Sequence, residues 1–236
     1  MVSDVSAASP LVAGFIYARS DSSRLPGKIL MSIEGHSILR IVYERSLQTK
    51  LDCQFLVTTD RGLDDDLCRA AEEIGLPVIR GDAHDLVRRT EKALDLSGAE
   101  YFLRLNGDSP LIDNSLINYT IGAAREFDFV SNLFDRRFPY GISAELMRAD
   151  FFKKSVREAR ALVDREHITQ HLYREEIFGS YGCVNQIDDH SRFGFVVDLQ
   201  SELDELRRLC AGRDVITVPY WELTSLEKPE MFLSAR

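Results

Sequence analysis

Several features that would assign this chain to a large class are missing from it. None of its apolar runs approaches the roughly 18 residues that span a bilayer, so no membrane partner is expected. It has four cysteines, Cys53, Cys68, Cys183 and Cys210, and no Cys-x-x-Cys pair. That excludes a zinc knuckle and argues for reduced thiols, some of them core residues, rather than a disulfide framework. Positive charge is in deficit: 29 Lys and Arg against 38 Asp and Glu leave a formal net charge of −9. Such a surface repels polyanions, and no nucleic-acid partner is expected. Residues 1–10 hold Asp4 but no Lys or Arg, unlike the front of a signal peptide, so a cytoplasmic location is expected. There is no Gly-x-x-x-x-Gly-Lys-Ser/Thr (Lys28 is followed by Ile29) and no Gly-x-Gly-x-x-Gly. Their absence argues against a P-loop ATPase and a dinucleotide-dependent dehydrogenase.

What remains is ordinary globular usage, 44% hydrophobic and 28% charged, over 236 residues, which suits one large domain covering 1–236. Short apolar runs alternate with helical patterns. Strands are expected at Val12–Tyr17, Gln54–Thr59, Val78–Ile79, Tyr101–Leu105, Phe129–Leu133 and Phe193–Val197. Helices are expected after Ser37, at Asp64–Ile74, Asp85–Leu96, Ser115–Phe127, Asp150–Leu162 and Asp164–Ile177, and from Ser201 to Cys210. The rhythm predicts an α/β fold, a mostly parallel central sheet flanked by helices, with ligands at the carboxyl ends of the strands. Residues 135–190 are less regular and long enough for acceptor-binding or oligomerisation elements, so a homodimer is one expected assembly.

The loop after the first strand, Ala18 to Lys28, holds Arg19, Arg24 and Lys28 against one anion, Asp21, in an acidic chain. Its small residues Ser20, Ser22, Ser23 and Gly27 let backbone N–H groups approach an anion. Arginine forks and a mobile lysine suit phosphate oxygens. Asp108, in the turn after Leu105, and Asp198, after Val197, are two carboxylates at strand ends, able to converge on a hard cation. Either aspartate alone also reads as a turn or helix cap.

Arg19-x-x-x-x-Arg24-Leu25-Pro26-Gly27-Lys28 resembles the N-terminal signature of the bacterial cytidylyltransferases, which activate acidic sugars such as acylneuraminate and ketodeoxyoctonate with CTP. Four further segments are similar in the same order, most closely to the spore-coat polysaccharide biosynthesis branch: Arg80–Arg89, Arg104–Asp113, Pro139–Glu145 and Arg165–Thr169. The resemblance runs from about 12 to 210 and implies a Rossmann-like nucleotide-diphospho-sugar transferase fold. It implies Mg²⁺-dependent transfer of CMP from CTP to a small acidic acceptor in surface-polysaccharide or glycoconjugate precursor synthesis. By the same resemblance Lys28, Arg24 and Asp108 would be catalytic, and Asp108 and Asp198 would hold Mg²⁺. Ala18, Arg19, Ser20, Arg24, Gly27, Lys28, Thr59, Arg80 and Asn106 would bind nucleotide, and Tyr140, Glu145, Arg165 and His167 the acceptor. The sequence departs from the pattern at Asn106, at Ser143-Ala144 and after Asp198, which leaves the acceptor and the second metal ligand open.

Other groupings are weaker. Asp64-Asp65-Asp66 reads as a solvated helix start, Arg88 and Arg89 as phosphate-reaching or solvent-facing, and His167 with His171 as structural rather than metal-binding. Asp64-x-Asp66 also has the letters of a glycosyltransferase metal motif. That class, and a nucleotide-binding protein without catalysis, stand as alternatives.

Overall fold

A computed structural model describes residues 10–158, 168–174 and 179–236. The first strand, β1 (Val12–Tyr17), is apolar throughout because both its faces are covered, as in the centre of a parallel sheet. After a hairpin of β2 (Ser32–Ile33) and β3 (His36–Ser37) comes α1 (Ile38–Ser46), capped by the Ser37 hydroxyl, which accepts from the Arg40 N–H at 3.3 Å. The chain continues through β4 (Cys53–Thr59), α2 (Asp65–Glu73), β5 (Val78–Gly81), α3 (Leu86–Ser97), β6 (Tyr101–Asn106) and α4 (Asn114–Gly122). Carboxylate caps from Asp85 and Asp113 start α3 and α4. Then follow β7 (Phe129–Ser131), β8 (Glu145–Arg148), α5 (Ala149–Glu158), α6 (Gln170–Arg174), β9 (Tyr181–Gln186), α7 (Gln200–Cys210), α8 (Tyr220–Leu223) and β10 (Met231–Ala235).

Eight strands form one sheet in the order β10-β9-β7-β8-β6-β1-β4-β5. The β6-β1-β4-β5 half is parallel, while β8 runs antiparallel to both β6 and β7, and β10 antiparallel to β9. One face packs on α1, α2, α4 and α7, the other on α3, α5 and α6. The second face has an aromatic centre, where Phe15 stacks on Phe102 at 5.3 Å and Phe152 meets Phe102 edge-on. The chain leaves β1 toward β4 and β5, then returns to β6 on the other side of β1. The crevice at the carboxyl ends of β1 and β6 is the switch point where such sheets bind ligands.

Several expectations need correction. Phe193–Val197 is extended but is no strand. Its hydrogen bonds are shared between two loops: Phe195 N–H donates to Tyr140 O at 2.7 Å and Val197 N–H to Asp108 O at 2.9 Å. The sheet instead gains β8, β9 and β10, short or interrupted by Gly182 and polar residues, too weak a pattern to read. The helix expected over Ser115–Phe127 stops at Gly122. Of the two helices expected over Asp150–Leu162 and Asp164–Ile177, the described parts are α5 and α6; Ile168 and Thr169 form a turn before Gln170. Arg165 and His167 lie outside the described residues.

One buried charge fastens the periphery. Arg45 on α1 is 2% exposed and donates from Nε to Ile112 O at 2.9 Å and from Nη1 to Val215 O and Val218 O at 2.9 and 3.0 Å. Burial lowers its pKa, opposed by Asp113 nearby. These bonds join α1 to the loop after β6 and to the segment before α8. Arg45→Met, which leaves those carbonyls without a donor, is expected to lower unfolding free energy by about 3 kcal/mol in urea titrations.

Candidate active site

The turn after β6 brings Asp108 beside β1. Gly107 N–H donates to Tyr17 O at 2.9 Å, and a Cβ on Gly107 would lie 2.7 Å from the Ala18 Cβ, so only glycine permits this approach. The bond from Val197 N–H to Asp108 O then sets Asp198 next to Asp108. Gly141, at φ +93°, allows the 193–197 segment to lie against Tyr140; a Cβ there would meet Val196 at 2.9 Å.

Lys28 Nζ bridges the two carboxylates, 2.8 Å from Asp108 Oδ2 and 2.8 Å from Asp198 Oδ1, and the residue is 6% exposed. Arg24 Nη2 donates to Asp198 Oδ2 at 2.6 Å. Burial alone would raise the Asp198 pKa, but Lys28 and Arg24 together outweigh it and hold the carboxyl below its ordinary range. The Asp198 side chain is therefore not a helix cap. Glu202 takes that place, accepting from the Asp198 and Leu199 N–H groups at 2.7 and 2.8 Å.

These groups stand at one side of a cavity of about 780 Å³, a volume that suits a nucleotide and a second small molecule. It gathers Ala18, Arg19, Arg24, Lys28, Asn106, Asp108 and Asp198 with Tyr140 and Glu145. Four expected nucleotide residues do not line it. Ser20 and Gly27 shape the basic loop through the bond from Gly27 N–H to Ser20 O at 3.1 Å. Thr59 is buried, and its hydroxyl donates to Asp64. Arg80 pairs with Asp65 at 2.7 Å and donates to the carbonyls of Thr59 and Arg61.

Asp64 corrects the reading of a solvated acidic cap. It is fully buried, accepts the Ser20 N–H at 2.7 Å and so ties the basic loop to the β4–α2 connection. Asp66 is exposed and pairs with Arg69, so Asp64-x-Asp66 does not present two carboxylates to the cavity. Arg88 faces solvent, whereas Arg89 is buried, lines the cavity and donates to Asp82 O at 3.1 Å. His171 is buried 3.1 Å from the Ser155 hydroxyl. Arg136 stacks over Tyr140 at 5.1 Å on the cavity wall, while Arg137 is turned to Ile187 O.

Sequence reasoning missed Arg104 and Tyr173, both on the cavity wall. Arg104 had a visible signal, a lone cation inside an apolar strand. Tyr173 had none, being one tyrosine within an expected helix.

Among the described residues no three His, Cys, Asp or Glu side chains are grouped to hold a metal by themselves. Two converging aspartate oxygens beside a cationic loop nonetheless fit Mg²⁺, which takes one or two carboxylates and completes its shell with substrate phosphates and water. No helix among these residues is long and apolar enough to cross a membrane.

Residues 13–221 match the family described as cytidylyltransferase. The chain is 30% identical over 208 residues to the uncharacterized protein MJ1063 of Methanocaldococcus jannaschii, covering 82% of this chain and 84% of that one. It is 28% identical over 168 residues to the spore coat polysaccharide biosynthesis protein SpsF of Bacillus subtilis, covering 66% and 68%. The solved structure of a cytidylyltransferase from Leptospira borgpetersenii superposes with a TM-score of 0.84 at 25% identity, over 92% of this chain and 93% of that one. A family match across nearly the whole sheet, with the basic loop and the carboxylates at its switch point, makes this chain a member of the cytidylyltransferase family, a nucleotidyltransferase that uses CTP.

Proposed function

We propose that the enzyme transfers CMP from CTP to a small acidic acceptor with Mg²⁺, releasing pyrophosphate. The observation that carries this reading is the convergence of Asp108 and Asp198 on Lys28 at one side of a cavity large enough for two reactants. An acceptor oxygen attacks the α-phosphorus; the new O–P bond forms as the bond to the β-phosphate oxygen breaks, and pyrophosphate leaves. Such transfer needs positioning and charge rather than a covalent enzyme intermediate.

Arg19, Arg24 and Lys28 would receive the triphosphate, with the Ala18, Ser20 and Gly27 backbone shaping their loop and Asn106 beside it. Thr59 and Arg80 would act from behind, through the Asp64 link and the carbonyls they hold. Asp108 and Asp198 would hold the metal, which when bound would supply positive charge against the triphosphate. Lys28, released from part of its carboxylate contact, would follow the charge onto the leaving pyrophosphate. Tyr140 and Glu145 would belong to the acceptor side, as would Arg165 and His167 by sequence resemblance. The name of the Bacillus relative supports a role in surface-polysaccharide precursor synthesis. A cytoplasmic homodimer is part of the same proposal.

The test is pyrophosphate release with each of the four nucleoside triphosphates and Mg²⁺ against acidic sugars and phosphorylated metabolites. CTP-selective release with an acid acceptor is expected; release with a neutral acceptor alone would overturn the acceptor class. Asp108→Asn and Lys28→Ala are each expected to retain the folded circular-dichroism spectrum. Each should lose on the order of a hundredfold or more in turnover, since a charge contact of about 4 kcal/mol at an effective dielectric of 20 is removed. A fully active Asp108→Asn enzyme would refute the metal role.

The depressed pKa of Asp198 has a stability counterpart. Its ion pairing contributes above the unfolded carboxylate value near pH 4 and is lost as pH falls through the lower folded value. As pH falls below about 4 the parent protein should therefore lose stability more steeply than Asp198→Asn, read by urea unfolding at stepped pH.

A further inference from the structure

Midway along β6, in the run Tyr101-Phe102-Leu103-Arg104-Leu105-Asn106, one cation shares a sheet face with Phe102 and Asn106. A guanidinium against an aromatic core is costly unless it is paired. The pairing comes from the neighbouring strand, where Glu145 is the register partner of Arg104. Arg104 Nη1 donates to Glu145 Oε2 at 2.6 Å and makes a long 3.4 Å bond to the Thr169 hydroxyl. The Tyr173 hydroxyl donates to Glu145 Oε1 at 2.7 Å and lies 2.6 Å from the Ser131 hydroxyl.

Both Glu145 oxygens are thus committed, and the residue is 1% exposed, so it is poorly placed to meet a substrate itself. Arg104 differs. Its side chain is 20% exposed and lines the cavity. Its Nε and Nη2 make no hydrogen bond among the described residues, and the Nε is buried without a partner. Burial works against the arginine charge, yet Glu145 outweighs it and holds the pKa above the ordinary value. Burial, then Glu145, pushes Tyr173 well up, so it remains a neutral donor. A buried ionic cluster of this kind is weak evidence of a stability device. It fixes one edge of a guanidinium and leaves the other uncommitted.

That edge lies within β6, whereas Asp108 stands in the turn beyond the end of that strand. Its partners Glu145, Thr169 and Tyr173 belong to the later half of the chain, as do Arg136, Tyr140 and Ser143 on the same cavity. We propose that Arg104 determines acceptor specificity, taking the acceptor's carboxylate on its uncommitted Nη2, and that Glu145 is a positioning residue acting through it. The inference rests on the proposed transfer of CMP to an acidic acceptor.

The test measures binding apart from turnover. 3-Deoxy-manno-octulosonate, N-acetylneuraminate and the methyl ester of each are titrated by NMR saturation transfer with CMP present, and CTP affinity is measured by calorimetry. The parent enzyme is expected to bind at least one acid in preference to its ester. Arg104→Met combined with Glu145→Gln, which leaves no buried carboxylate without its counterion, should weaken acid binding about tenfold to a hundredfold. CTP affinity should stay unchanged. Arg104→Lys, a point charge without the fork, should recover only part of the acid preference. Unchanged acid affinity in the double variant, equal binding of acid and ester, binding of neither acid, or a loss confined to CTP would each overturn the inference. Arg104-dependent acid binding without pyrophosphate release from CTP would instead overturn the transfer reaction and leave the assignment of Arg104 standing.

Discussion

Lys28 holds together two carboxylates that stand 80 and 170 positions further along the chain. An ammonium this buried would destabilise the fold without them, because unpaired it loses far more hydration than packing returns. Two aspartates this close would likewise repel one another without the lysine. With Arg24 the cluster is two cations and two anions, and its balance lets charged groups sit in the wall of a cavity. In the proposed reaction a phosphate chain and a divalent cation would bring matching charges of their own, so binding would exchange partners rather than create new buried charge.

The rest of the structure serves that convergence. Parallel strands β1 and β6 place the basic loop and the Asp108 turn side by side, and Gly107 removes the one side chain that would part them. The 193–197 segment could have become a strand, but its hydrogen bonds go to Tyr140 and Asp108, which aims Asp198 into the site. Behind it, Arg45 fastens the segment before α8 to α1 and to the loop after Asp108, so the wall carrying Asp198 is braced on the sheet.

Much of this was legible in the residues. The parallel half of the sheet showed in strand–helix alternation, and the basic loop stood out against an acidic chain. The antiparallel strands did not show: Glu145–Arg148 is four residues long, and Tyr181–Gln186 carries Gly182, Asn185 and Gln186, which blur any alternation. At the site, Lys28, Asp108 and Asp198 were named on motif and strand-end grounds, but nothing in the order of residues tells that one lysine touches both. Thr59 and Arg80 stand behind the cavity wall because their hydrogen bonds hold neighbouring loops, a distinction that spacing along a strand does not make. Asp64 read as a surface cap because its helix-start position masks the tertiary bond to the Ser20 amide.

The separation of 170 positions between Lys28 and Asp198 also has a meaning in time. Chains are made at about 5–20 residues per second, and N-terminal parts fold first. The strands from β1 to β6 and the Asp108 turn leave the ribosome with their helices and can close as local parallel units. The second carboxylate follows on the order of ten seconds later. Through that interval a nascent chain holds Lys28 and Arg24 with Asp108 but without Asp198, and the basic loop acquires its second carboxylate only as synthesis passes α7.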